Sequence, residues 1–214
     1  MNHDTNAIIS SLVDDLEPVR PLRFRNGAAL ALGSLALVIL LVIALSTVRA
    51  DVAAGQPAGM FMLSSGLFLL LALACGAAVV AMGNPRVGTS RGGWGWALAM
   101  AGLLPISALA MLAISGQAAW EAGAAIHGFD CLAGSIGLGL VTGGILVMWL
   151  RRGAPTSPEN AGLLTGITAG AAGVFAFSLV CPIDTIIHIG LWHGLAVTVS
   201  AIAGRLIVPK LVKW

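Results

Sequence analysis

Six blocks of apolar residues, each about 20 residues long and nearly free of charge, alternate with short polar segments: Gly27–Val48, Met60–Met82, Trp94–Ile114, Cys131–Leu150, Ala161–Val180 and Thr185–Gly204. Roughly 20 residues of α-helix cross a hydrocarbon core about 30 Å thick, so each block predicts one transmembrane helix. The ten-residue alternating segments of a membrane β-barrel are absent. Helices are the remaining way to satisfy every backbone group in lipid. The expected fold is an all-α, six-transmembrane-helix bundle. The first block follows the acidic residues Asp14, Asp15 and Glu17 and exceeds the 7–15 residues usual for a signal peptide's apolar region. It is expected to remain as the first span.

The polar segments divide the chain into residues 1–26, a membrane domain over 27–208 and a basic tail over 209–214. In the front segment Ile8, Ile9, Leu12, Val13 and Leu16 fall at helical spacing, while Ser10, Ser11, Asp14, Asp15 and Glu17 take other faces. Asp4 or Thr5 is suited to cap the start, and Pro18 and Pro21 stop the helix. So short a helix is marginal alone, and its stripe needs a surface to pack on. A helix lying on the membrane is one reading, but such helices are usually rich in Lys and Arg, which this stretch lacks. A helix offered to the groove of a cytoplasmic partner is the other. Within the spans, Gly162, Gly166 and Gly170 share one face, as do Gly139 and Gly143. Small residues at this spacing let helices approach closely in lipid. The short connection between the fourth and fifth blocks predicts an antiparallel hairpin, and Pro105 a kink in the third.

Composition sharpens this picture. The chain is 58% hydrophobic and 9% charged, against roughly 25% charged in a soluble domain. No segment outside the six blocks is long enough to bury a core of its own. Every Lys and Arg except Arg49 falls in the front segment, the second and fourth loops or the C-terminal end, which share one side of a six-span chain. The positive-inside rule then places both termini in the cytoplasm.

Candidate chemistry gathers on the other side. Cys131 opens the fourth block and Cys181 lies just past the fifth, at neighbouring helix ends if the hairpin forms. Two thiols facing an oxidising compartment suit a disulfide or a thiophilic metal ion. Asp184 and His188 are close in sequence and complete a candidate metal set of Cys131, Cys181, Asp184 and His188; His127 and Asp130 flank Cys131. The spacing matches no zinc motif and there is no CxxC, so two unrelated buried thiols are the plain alternative. Cys75, in mid-span, is assigned to packing. Ser135 and His193 invite an intramembrane serine-hydrolase reading, but the run Ala133-Gly134-Ser135-Ile136-Gly137 misplaces the glycines of a GxSG nucleophile context. Apart from His188 and His193 the spans lack the ionisable residues that mark a transport path, which leaves a small inner-membrane transporter or channel as the alternative function.

Several motifs read together resemble a known family. They are Asp14-Asp15-Leu16-Glu17-Pro18-Val19, a Cys opening the fourth span, and Arg151-Arg152-Gly153-Ala154-Pro155-Thr156. Cys181-Pro182-Ile183-Asp184, Leu191-Trp192-His193-Gly194-Leu195-Ala196 and a Lys213-Trp214 end complete the set. The chain resembles the NrsF-type membrane anti-sigma factors over nearly its whole length. It departs from their pattern at His193, where an aromatic residue is expected, and at Asp130, a carboxylate beside a thiol. The resemblance implies a non-enzymatic, multi-pass protein of the bacterial inner membrane without a cofactor and without direct contact to nucleic acid. Its implied partner is an extracytoplasmic-function (ECF) sigma factor, and the front segment, with Leu12, Asp14, Asp15 and Leu16, is the stretch expected to bind it at the cytoplasmic face. The Arg86/Arg91 and Arg151/Arg152 loops are possible additions to that face. It further implies release under oxidative or heavy-metal stress sensed by Cys131 and Cys181.

Overall fold

A computed structural model describes residues 5–14, 22–84, 94–124 and 128–212. Among them the chain is helical with no strand, and six helices are long and apolar enough to cross a membrane. In chain order the elements are α1 (Thr5–Asp14), α2 (Phe24–Leu45), α3 (Ala50–Ala53), α4 (Gly59–Met82), α5 (Trp94–Ala124), α6 (Gly128–Arg151) and α7 (Pro158–Ser178). The last span comprises α8 (Ile186–His188), a π-helical turn over Ile189–His193, and α9 (Gly194–Leu211).

The spans match the apolar blocks, with differences at their ends. α2 stops at Leu45, short of the expected Val48, because the backbone turns extended at Ser46 (φ −139°, ψ 160°). From there the chain crosses to the end of α7, where the Arg49 N–H donates to the Leu179 carbonyl at 3.0 Å. α5 continues past Ile114 to Ala124, and the last span runs past Gly204 to Leu211.

α7 is the axis of the bundle. Sixteen of its 21 residues are buried, whereas α2 buries only Gly27, Ser34, Val38 and Val42. Composition explains the difference. α7 is built from Gly, Ala, Ser and Thr around a few large side chains, so neighbouring backbones reach it on several sides. A Cβ on Gly166 would lie 2.1 Å from the Ser200 carbonyl oxygen, and one on Gly204 would lie 2.4 Å from that of Gly162. The Gly162/Gly166/Gly170 face therefore meets the last span. α6 packs on a different face, where a Cβ on Gly173 would lie 2.0 Å from the Ser135 oxygen and one on Gly139 would lie 2.7 Å from that of Ala169. The α6–α7 hairpin is present as expected. Thr165 and Thr168 are buried because each hydroxyl donates to the carbonyl four residues earlier, at 2.7 and 2.8 Å, which leaves no orphaned donor. Cys75 is buried in the core, in line with a packing role.

Outward faces carry large apolar side chains such as Leu40, Leu70, Ile106, Leu140 and Leu206, as a lipid-facing surface requires. At the end of the bundle opposite the two cysteines, the Trp149 indole N–H donates to the Val80 carbonyl at 3.2 Å. Gly27 and Gly83 are the small residues that admit its ring. Gly153, in the fourth loop, sits directly on the Gly83 carbonyl.

Gly166→Ala should destabilise the bundle by about 1–3 kcal/mol, since backbone on the opposite helix blocks the added methyl. Gly33→Ala has open space around the new Cβ and should be neutral or stabilising by up to about 1 kcal/mol. Reversible unfolding in detergent micelles measures both.

Candidate functional site

Four buried side chains meet at one end of the bundle. Cys131 comes from the first turn of α6, and Cys181 from the segment just after α7. His188 ends α8, and His193 ends the π turn. Exposure is 3%, 3%, 0% and 2% in that order, so the cluster is closed off from bulk solvent. The two Sγ atoms are 3.5 Å apart, and both cysteines are free thiols. His188 Nε2 lies 3.5 Å from Cys181 Sγ, and one ligand atom from each of the four residues falls within 4.8 Å of all the others.

Local chain geometry explains the meeting. The short 152–157 connection makes α6 and α7 antiparallel, which brings Cys131 beside the residue that follows α7. Thr185 caps the last span: its hydroxyl accepts the His188 N–H at 3.3 Å and fixes where the first imidazole starts. In an α-helix, residues five apart point about 140° away from each other, at roughly 100° per residue. A π turn closes its hydrogen bond five residues on. The π turn therefore brings His188 and His193 to the same side, with ring centroids 5.5 Å apart and planes at 71°. Gly128 lets the Trp192 indole cover the start of α6, and Phe68 meets His193 edge to face.

Arg49 holds the segment that carries Cys181. Its guanidinium is almost fully buried. One nitrogen donates to the Cys181 carbonyl at 3.0 Å and to Asp184 Oδ1 at 2.7 Å, and others reach Asp51 at 2.6 and 2.9 Å. The cation lies 4.8 Å above the Phe61 ring. Arg49 titrates above its ordinary range, first because of Asp184 and then because of Asp51. In return it holds the Asp51 carboxyl down at about 2. The Cys181 thiol is held below its ordinary value, first by the Cys131 thiol and then by the two imidazoles, which together outweigh its burial.

Of the residues singled out in the sequence, the structure brings Cys131, Cys181 and His188 together. Asp184 stands apart, with both carboxylate oxygens on Arg49. His193 takes the place in the cluster that the sequence reading gave to Asp184. Neither Ser135 Oγ nor His193 Nε2 has a hydrogen-bond partner. At the chain's front, Leu12 and Asp14 lie on α1 and are exposed, with Ile9, Leu12 and Val13 at 53%, 63% and 56% exposure. Asp15, Leu16, Arg86, Arg91, His127 and Lys213-Trp214 lie outside the described residues. Arg151 and Arg152 are exposed.

Comparison with known proteins first gives a class: the matching family is one of regulators that act on a sigma factor. The chain belongs to the family described as Negative regulator of sigma F, whose profile matches residues 12–214. A relative, the Anti-sigma-F factor NrsF of Caulobacter vibrioides (strain NA1000 / CB15N), is 28% identical over 220 aligned positions that cover 98% of this chain and 99% of the relative. No solved structure matches. The protein is therefore an anti-sigma factor with six membrane-length helices.

Arg49→Gln should cost about 1.5–3 kcal/mol, the range for charge-assisted hydrogen bonds, and should speed maleimide labelling of Cys181 by freeing its segment. The pH dependence has a defined sign. Because the Asp51 value is depressed, its stabilising contribution is complete above the unfolded value of about 3.9 and is lost as pH falls through about 2. Labelling at fixed thiol reactivity should accordingly accelerate only in acid below that window's upper edge.

Proposed function

We propose that this protein holds an ECF sigma factor at the cytoplasmic face of the inner membrane and releases it when the Cys131–Cys181 pair is oxidised or takes up a heavy-metal ion. The observation that carries this reading is the pair itself, two buried free thiols 3.5 Å apart in an anti-sigma factor. In the oxidative route the two thiols lose two protons and two electrons, one S–S bond forms, and a peroxide is reduced to water. The sulfurs then close from 3.5 Å to about 2.05 Å, which draws the top of α6 toward the segment after α7. Arg49, bonded to the Cys181 carbonyl, passes the movement to the loop that follows α2. α2 leads back through the chain to the front segment.

Sigma binding is assigned to the front segment around Leu12, Asp14, Asp15 and Leu16. Support comes from α1, where Ile9, Leu12 and Val13 stand exposed although an isolated ten-residue helix is marginal. Both termini are assigned to the cytoplasm on the placement of Lys and Arg. A coupling free energy of about 1–3 kcal/mol changes sigma affinity by about 5–150-fold, so graded release is the expected behaviour.

Reporter fusions at Gly55, Gly123 and the C-terminus check the orientation, and periplasmic activity at the C-terminus overturns it. Leu12→Asp with Leu16→Asp should abolish sigma retention while the spans still insert, seen as constitutive sigma-dependent transcription. Cys131→Ser with Cys181→Ser should keep the sigma factor held under oxidant or thiophilic metal. A normal stress response in that double variant rejects the sensor.

A further inference from the structure

We infer that Cys131, Cys181, His188 and His193 form a closed four-coordinate site for a thiophilic divalent ion of the zinc–cadmium class, with both imidazoles as ligands and Asp184 outside the coordination sphere. The inference rests on the sensor reading of the cysteine pair and specifies the ligand set that acts with it.

Geometry is the first argument. Metal–sulfur bonds of about 2.3 Å and metal–nitrogen bonds of about 2.0–2.1 Å at tetrahedral angles put sulfurs roughly 3.8 Å apart, and sulfur and nitrogen roughly 3.5 Å apart. The corresponding distances here are 3.5 Å between the sulfurs and 3.5 Å from Cys181 Sγ to His188 Nε2. All four ligand atoms lie within 4.8 Å of one another, so closure asks for movements of about 1 Å. A two-sulfur, two-nitrogen tetrahedron is a donor set that selects zinc-like ions.

Charge is the second argument. Two thiolates and two neutral imidazoles around a divalent ion sum to zero, which suits a cluster with no exposure above 3%. A third anionic ligand would leave a net charge in a buried site. Asp184 is already engaged, with both oxygens on Arg49. An unmet polar group is the third argument: His193 Nε2 is buried without a hydrogen-bond partner, so that ring keeps a nitrogen free to act as a ligand. A cavity of about 10 Å³ bordered by Arg49, Cys181, Asp184 and His193 lies beside the cluster, close to the smallest space that holds a single water.

The consequence is a competition at the pair. A bound ion keeps the sulfurs at a tetrahedral edge, too far apart for a disulfide, so metal and oxidant use the same two thiols in mutually exclusive ways.

The test uses the purified full chain in detergent, titrated with Cd²⁺ against a chelator and read by the thiolate-to-metal charge-transfer band. One ion per chain is expected. His188→Gln and His193→Gln should each weaken binding by about a hundredfold or more, whereas Asp184→Asn should stay within about threefold. Wild-type affinity in both histidine variants overturns the ligand set, as does an Asp184→Asn loss equal to theirs. If a histidine variant does not fold, X-ray absorption of the zinc-loaded wild type decides: two sulfur and two imidazole scatterers support the site, and a carboxylate scatterer overturns it. Bound Zn²⁺ should also slow peroxide-driven disulfide formation, and no protection overturns the competition. None of these readouts involves the sigma factor, so loss of the metal site and loss of sigma retention are separate results.

Discussion

The close approach of backbones around α7 is the constraint on which the rest of the structure depends. Lipid is as apolar as a leucine side chain, so burying leucine gives little reason for two spans to associate, and packing contacts must supply it. α7 meets this demand by having almost no side chains on the faces it presents. Gly166 and Gly170 accept the last span, while Gly173 and Ala169 accept α6. These contacts set how far apart the helix ends stand, and the cysteine–histidine cluster is built entirely from those ends. The cluster thus rests on a helix suited to its place by what it lacks.

Arg49 is the second organising element, and its role is connection. It is an arginine at the end of a bundle whose other Lys and Arg residues lie elsewhere in the chain, and it spans 135 residues of sequence to reach Asp184. Its fork geometry lets one side chain bond two carboxylates and a main-chain carbonyl together. The result ties the peripheral helix α2, which buries few residues of its own, to the segment carrying Cys181.

The spans were legible because lipid demands long apolar runs, and Cys131 and Cys181 because thiols at adjoining ends of a hairpin are chemically conspicuous. The glycine faces were also visible, but not their partners: the Gly162 face meets the last span, a choice fixed by three-dimensional packing. Asp184 looked like a ligand because it lies three residues from Cys181, and nothing local reveals that an arginine far upstream takes it. His193 was hidden by helical phase. Five residues from His188, it belongs to the opposite side of any α-helix, and only the π turn brings it round. Ser46 likewise reads as a continuation of an apolar block, although the chain turns extended there to deliver Arg49.

The π turn also divides the last span into two parts with independent angular settings. Above it, the helix is oriented by the thiols and the Thr185 cap; below it, by the glycine contacts between α9 and α7. An unbroken α-helix is a rigid shaft, and rotating one end to suit a cluster would rotate the other end out of its groove. One extra residue in the turn absorbs about 100° of that mismatch. The lower half can therefore sit in its groove against α7 at one angle while the residues above the turn take the angle that the cluster sets.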